Sequence, residues 1–230
     1  MIRDSQNRQR FFIELARSIL YWLNYNNDIS REDIFKEDII RIPLSEYIER
    51  RLLGNIETES QLDEDNTNKH FDFKYRVRYN NRVVKGNVEV KYVQALTRRT
   101  PEHQRYFDDI CRLALKNENG SDNILIVFGP KNLFNSNLVR LVDGRKKINT
   151  YDSTNKEIKP EGIYSEWLHF TVNDPNTIKI SDYQDYYEKF ANRHEGKRLT
   201  KIKTELLTLQ EDKNNYNTYM VGIWKITNTR

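Results

Sequence analysis

Residues 70–92 read HFDFKYRVRY-NN-RVVKGNVEVKY. From His70 to Tyr79 apolar and polar side chains alternate strictly, the period of a strand with one buried face. Asn80-Asn81 suits a two-residue turn, because Asn tolerates positive φ, and Val83 to Tyr92 forms the return strand. That turn fixes a register. Val77 then faces Val84, Tyr75 faces Gly86, Phe73 faces Val88 and Phe71 faces Val90, all on one apolar side. The other side sets Arg76 against Lys85, Lys74 against Asn87, Asp72 against Glu89 and His70 against Lys91. A slip by one residue would mix the two sides, so the register is well specified.

The polar side is chemically unusual. Two carboxylates directly opposite on one face lie roughly 5 Å apart at Cβ and repel unless something neutralises them. A divalent cation does so, and hard carboxylate oxygens suit Mg²⁺ or Mn²⁺. Lys91 follows Glu89 by two residues and shares its side. An ammonium group there can orient a water and stabilise charge developing on a phosphate. The ordinary alternative is a solvated sheet face. Such a face tends to pair opposite charges across strands, whereas here acid meets acid and Arg76 meets Lys85.

Outward from the hairpin, Pro101 opens a helix to about Lys116 with Tyr106, Phe107, Ile110, Cys111, Leu113 and Ala114 at helical spacing. Ile124-Leu-Ile-Val-Phe128 then reads as a strand buried on both faces. Upstream, Phe11, Phe12, Leu15, Ile19, Leu20 and Leu23 predict an amphipathic helix over 8–23, broken by Asn24 to Asp28. A short helix follows Ser30, Pro43 interrupts the chain, and Ser45 caps a third helix that Gly54 ends. A short strand falls near Asn55–Leu62, then a loop to Asn68. Downstream, Asn137–Leu141 starts a helix or strand, Tyr164–Val172 and Tyr219–Ile226 read as strands, and Ser181–Arg193 and Lys197–Gln210 as helices. Leu199, Ile202 and Leu206 would form the packed side of that last helix. The class is therefore α/β, a mixed central sheet flanked by helices, with extra C-terminal elements.

Asp72 followed by Glu89-Val90-Lys91 on the next strand, and then by a helix and a buried strand, resembles the PD-(D/E)xK nuclease superfamily over roughly residues 45–130. Phe71 stands where the family pattern has proline. An acid-x-Lys tripeptide alone says little, since the chain has five, at 72–74, 89–91, 157–159, 195–197 and 211–213. Only 89–91 lies on an alternating strand opposite another acid and before a helix and buried strand. The resemblance implies a restriction-endonuclease-like fold over one nuclease domain, 1–230, with 131–230 as accessory or recognition elements. It implies that Asp72 and Glu89 bind Mg²⁺ (or Mn²⁺) and that Lys91 assists an attacking water. It points to a further metal-binding acid on a preceding helix, Glu49 before Glu46. It implies DNA as substrate, and a homodimer as the assembly common among restriction enzymes. Lys74, Arg76, Arg98 and Arg99 are the residues placed to contact the nucleic-acid backbone.

The bulk properties set bounds. The 230 residues suit one sizeable domain, and 12% aromatics argue for a packed core. Net charge is +4, from 38 Lys and Arg against 34 Asp and Glu, which permits nucleic-acid binding without requiring it. One cysteine, Cys111, excludes an internal disulfide framework and a cysteine zinc site. No apolar run reaches membrane-span length and the N-terminus lacks a signal-peptide core, so the expected setting is cytoplasmic. With no Gly-rich phosphate loop and no serine- or cysteine-hydrolase motif, two alternatives remain beside the nuclease. One is a nucleic-acid-binding protein with a nuclease-like fold and no cleavage. The other is an interaction protein whose acidic hairpin face meets a basic partner.

Overall fold

A computed structural model of the chain describes residues 2–29, 37–51, 53–61, 70–79, 82–93, 102–116, 121–134, 150–151, 157–158, 176–179, 184–192, 199–211 and 219–229. The expected short helix after Ser30, the loop 63–68, the turn 80–81, the segments 137–141 and 164–172, and Arg98 and Arg99 lie outside these residues.

The hairpin forms as β2 (His70–Tyr79) and β3 (Arg82–Tyr92), antiparallel, with β1 (Asn55–Gln61) on the outer side of β2. The ladder runs from Tyr79 opposite Arg82 to Phe73 opposite Val88, in the register that the apolar pattern predicts. After β3 the chain crosses through α3 (Glu102–Leu115) and returns as β4 (Ser121–Pro130), parallel to β3. A parallel return needs such a crossover, and α3 supplies it. Beyond the short helix α4 (Lys131–Phe134), β5 (Thr150–Tyr151) and β6 (Glu157–Ile158) pair in a separate ribbon. Then come β7 (Asn176–Lys179), helix α5 (Gln184–Ala191), β8 (Lys201–Glu211) and β9 (Tyr219–Thr229). The main sheet has seven strands in the order β1-β2-β3-β4-β9-β8-β7, so the C-terminal strands extend the N-terminal ones within one sheet.

Each face of this sheet carries its own core. On one face Phe73, Tyr75, Val77, Val88, Val90, Ile124, Ile126, Phe128, Val221 and Ile223 pack with α1 (Ile2–Asp28) and the helical segment at 39–48. On the other, Leu125, Val127, Ile202, Trp224 and Ile226 pack with α3 and with Phe190 of α5. Alternate residues of β4 feed opposite cores, which is why its sequence is a continuous apolar run. Among the described residues no helix is long and apolar enough to cross a membrane.

Three expected elements differ. Helix α1 does not break at Asn24 but continues to Asp28. Two of its asparagines are bonded there: Asn26 Nδ2 donates to the Trp22 carbonyl one turn back at 2.8 Å, and the Tyr219 hydroxyl of β9 donates to Asn27 Oδ1 at 3.2 Å. One local and one tertiary hydrogen bond thus help to offset poor helix propensity. Second, helical structure precedes Ser45: a 3-10 turn at Glu37–Ile40 leads into α2 (Arg41–Ser45), which continues into a wider turn at Glu46–Arg51. Pro43 is tolerated because it falls in the first turn, where an N–H has no helical acceptor. Third, residues 201–211 form strand β8, not a helix. Ile202 and Thr204 are buried on alternate positions, and a bulge between Leu206 and Thr208 shifts the alternation. The bulge leaves Leu206 and Leu209 packed on one core while Leu207 packs on the other, so the apolar spacing imitates a helix.

Candidate functional site

Because Val88 and Val90 turn into the α1-side core, Glu89 and Lys91 turn to the face covered by α3. Glu89 is fully buried there. The ladder between β2 and β3 ends at Phe73 and Val88, one residue short of Asp72 and Glu89. Beyond that point the Val90 amide donates to Asp72 Oδ2 at 2.7 Å. A side chain therefore takes over the role of a strand carbonyl, and Asp72 is anchored at the place where the acids meet.

Helix α3 completes the cluster with two residues that the sequence reading did not single out. Lys91 Nζ lies 3.0 Å from Asp109 Oδ2. Arg112 Nη2 lies 2.9 Å from Glu89 Oε1 and also contacts Asp109 Oδ1. Asp109 is thus a hub between the two cations. Three carboxylates, Asp72, Glu89 and Asp109, share a water-poor space with one ammonium and one guanidinium. On the α3 wheel, Asp109 borders the apolar arc formed by Tyr106, Ile110 and Leu113 and Arg112 falls on the polar side, both places where charged residues are ordinary. Only the docking of α3 on β3 reveals their role.

The electrostatics follow from this crowding. Burial pushes the Glu89 carboxyl well above the ordinary glutamate range, Asp109 and Asp72 add to the rise, and Arg112 and Lys91 oppose it. Asp72 is raised too, first by burial and then by Asp109. Lys91, the Val90 amide and a hydrogen bond with Glu89 work the other way. For Arg112, burial would lower the pKa, but Asp109, Glu89, Asp72 and Asp108 outweigh it and the guanidinium is held charged. Neither oxygen of Glu89 receives a well-aligned hydrogen bond, close as Arg112 is. Facing Asp72, Glu89 is satisfied either by a proton shared between the acids or by a cation.

Whether these residues fit a divalent ion can be judged from that donor set. Among the described residues no group of three or more His, Cys, Asp and Glu side chains is gathered so as to hold a metal. Mg²⁺ needs fewer, since it keeps several waters and takes one or two protein carboxylates. The Glu89 carboxylate, ion-paired to one cation, and the neighbouring Asp72 carboxyl meet that need, while Asp109 is ion-paired to both Lys91 and Arg112. The donors fit.

The remaining sequence candidates are placed as follows. Glu49 sits in the turn at 46–51, whose Tyr47 and Ile48 belong to the α1-side core, and its carboxylate accepts a hydrogen bond from the Ser45 hydroxyl. Glu46 pairs with Arg50 at 2.9 Å. After burial, the influences on Asp72 and Glu89 come from each other, Lys91, Asp109, Arg112 and the Val90 amide. Lys74 and Arg76 continue the Asp72 side of β2, with Lys74 half-buried opposite Asn87, and Arg76 exposed opposite the exposed Lys85. Asn87 is buried and donates to Asn123 Oδ1 at 2.8 Å, which ties β3 to β4 beneath the acids. No protein-family model, curated protein or solved structure matches the chain.

Proposed function

We propose that the chain is a divalent-metal-dependent DNA endonuclease of restriction-enzyme type, using Mg²⁺ or Mn²⁺. The observation that carries this reading is the pairing of Asp72 with Glu89, two acids at the edge of a strand ladder, one of them fully buried with both oxygens unsatisfied, and Lys91 beside them. The order β1, β2, β3, α3, β4, with β3 and β4 parallel, supports a restriction-endonuclease-like core.

In this reading Asp72 and Glu89 hold the cation. When bound, such an ion lowers the pKa of its water and offsets charge on a phosphate oxygen. Lys91, held at its ammonium by Asp109, orients the attacking water and stabilises charge on the phosphate. The Val90 amide keeps Asp72 turned toward Glu89. Lys74 and Arg76 on β2, with Arg98 and Arg99, contact the backbone of the DNA and set its position.

Cleavage of plasmid and of mixed-sequence DNA by the full chain tests this. Cutting is expected with Mg²⁺, none with EDTA, and a loss of roughly 10²-fold or more in Lys91→Ala. Cutting that persists in EDTA, or in Lys91→Ala at the original rate, would refute the mechanism. A binding protein without cleavage is favoured by one observation, that Lys91 and Arg112 form ion pairs with Asp109 and Glu89 and offset their charge. It requires DNA binding that is indifferent to EDTA and unchanged in Glu89→Ala.

A further inference from the structure

Arg112 has no part in the chemistry proposed above, yet it makes the closest cationic contact to Glu89. Resting on that reading of the site, we propose that Arg112 is a resident counter-cation that a divalent ion must displace from, or share, at the Glu89 carboxylate. Glu89 is buried with a side chain 1% exposed, and a lone carboxylate in such a place is strongly disfavoured. The guanidinium of Arg112 reaches both Glu89 Oε1 and Asp109 Oδ1, and so bridges the two acids as a bound cation would.

Guanidinium does not deprotonate in proteins, so this positive charge is permanent. Its fixed planar fork donates to Asp109 and cannot saturate Glu89 from where it stands, since its N–H groups are not aligned on the Glu89 oxygens. Arg112 therefore keeps the acids compatible in the metal-free chain while leaving lone pairs open to a metal. It also repels that metal. Lys91 differs, because it contacts Asp109 rather than Glu89. The helix α3 thus sets the affinity of a site whose ligands lie on β2 and β3.

The proposal predicts an effect opposite to that of a merely structural arginine. Removing a bracing residue would loosen the site and weaken ion binding. Removing a competing charge tightens it. Mn²⁺ binding to the full chain at pH 8.5, measured by calorimetry without DNA, reads the difference. Arg112→Gln is expected to bind Mn²⁺ roughly tenfold or more tightly than wild type, from the loss of a like charge a few ångströms away. Arg112→Lys, which keeps the charge, is expected within about threefold of wild type on the same ground. Equal or weaker binding by Arg112→Gln overturns the proposal while leaving the nuclease reading standing. Wild-type chain that binds no Mn²⁺, or binds it equally well after Glu89→Gln, overturns both. A titration of ¹⁵N-labelled wild type with Mg²⁺ serves should Arg112→Gln not fold. The Arg112 Nε–H resonance, assigned by its absence in Arg112→Lys, should move as the ion binds, and a resonance that stays in place refutes the competition.

Discussion

Burial pushes the Glu89 carboxyl well above its ordinary value of 4.5, and burial likewise raises Asp72 above 3.8. A raised folded-state pKa reverses the usual behaviour of acids. The stability from such a group is fully present below the unfolded value and is lost as pH rises through the folded value. Without divalent ions, lowering the pH from 8 toward 5 should therefore stabilise the chain through Glu89, where acids paired only with cations would destabilise it. Thermal unfolding in EDTA across this range, compared between wild type and Glu89→Gln, checks the sign. The variant should lose the gain on acidification, and two parallel curves would mean that Glu89 is ionised throughout. Asp72, Glu89 and Lys91 were legible in the sequence because alternation fixes which residues share a side and the apolar partners fix the register. Asp109 and Arg112 were not, because their contacts depend on the docking of α3 across β3, and no local pattern encodes that.

At the scale of elements, local pattern was decisive wherever a strand kept its alternation and misleading where a bulge broke it. The hairpin and the β3-α3-β4 crossover appear as the pattern implied. In β8 one extra residue turned an alternating strand into a helix-like spacing, and the β-branched Thr204 and Thr208, both buried, suit a strand. The hairpin also carries a close approach that its sequence hinted at by placing Gly86 opposite Tyr75. A Cβ at Gly86 would lie 2.4 Å from Tyr75 Cε1 and 2.5 Å from the Asp122 carbonyl oxygen. The ring can turn aside, but the carbonyl belongs to the paired β4 backbone and cannot. Gly86→Val should cost about 1–3 kcal/mol of stability, as overpacking of a filled core does. A urea midpoint equal to that of wild type would show that β3 and β4 part there at little cost.

Over the whole molecule, the proposed nuclease core spans about 45–130, but the sheet does not stop there. Strand β4 pairs with β9 from Ile124 opposite Lys225 to Pro130 opposite Tyr219, so the C-terminal half seals one edge of the N-terminal strands. It also fills both cores. Tyr219, Val221 and Ile223 pack on the α1 side, and Phe190, Leu199, Ile202, Met220, Trp224 and Ile226 on the α3 side. Helix α1 lies against β8 and β9, so the first and last parts of the chain meet across the sheet. A chain cut after Phe134 would expose the continuous apolar run of β4 as an unpaired edge and leave α1 without the strands that it covers. Such a fragment should show no cooperative urea transition, should aggregate, and should bind no Mn²⁺, although it retains Asp72, Glu89, Lys91, Asp109 and Arg112. A sigmoidal unfolding curve from residues 1–134 would show instead that the site rests on a core able to fold alone, with the C-terminal strands added to a finished sheet. The physical ground for expecting the first outcome is that the strand beside the acids is buried on both faces, and residues 184–229 contribute to the core on each of them.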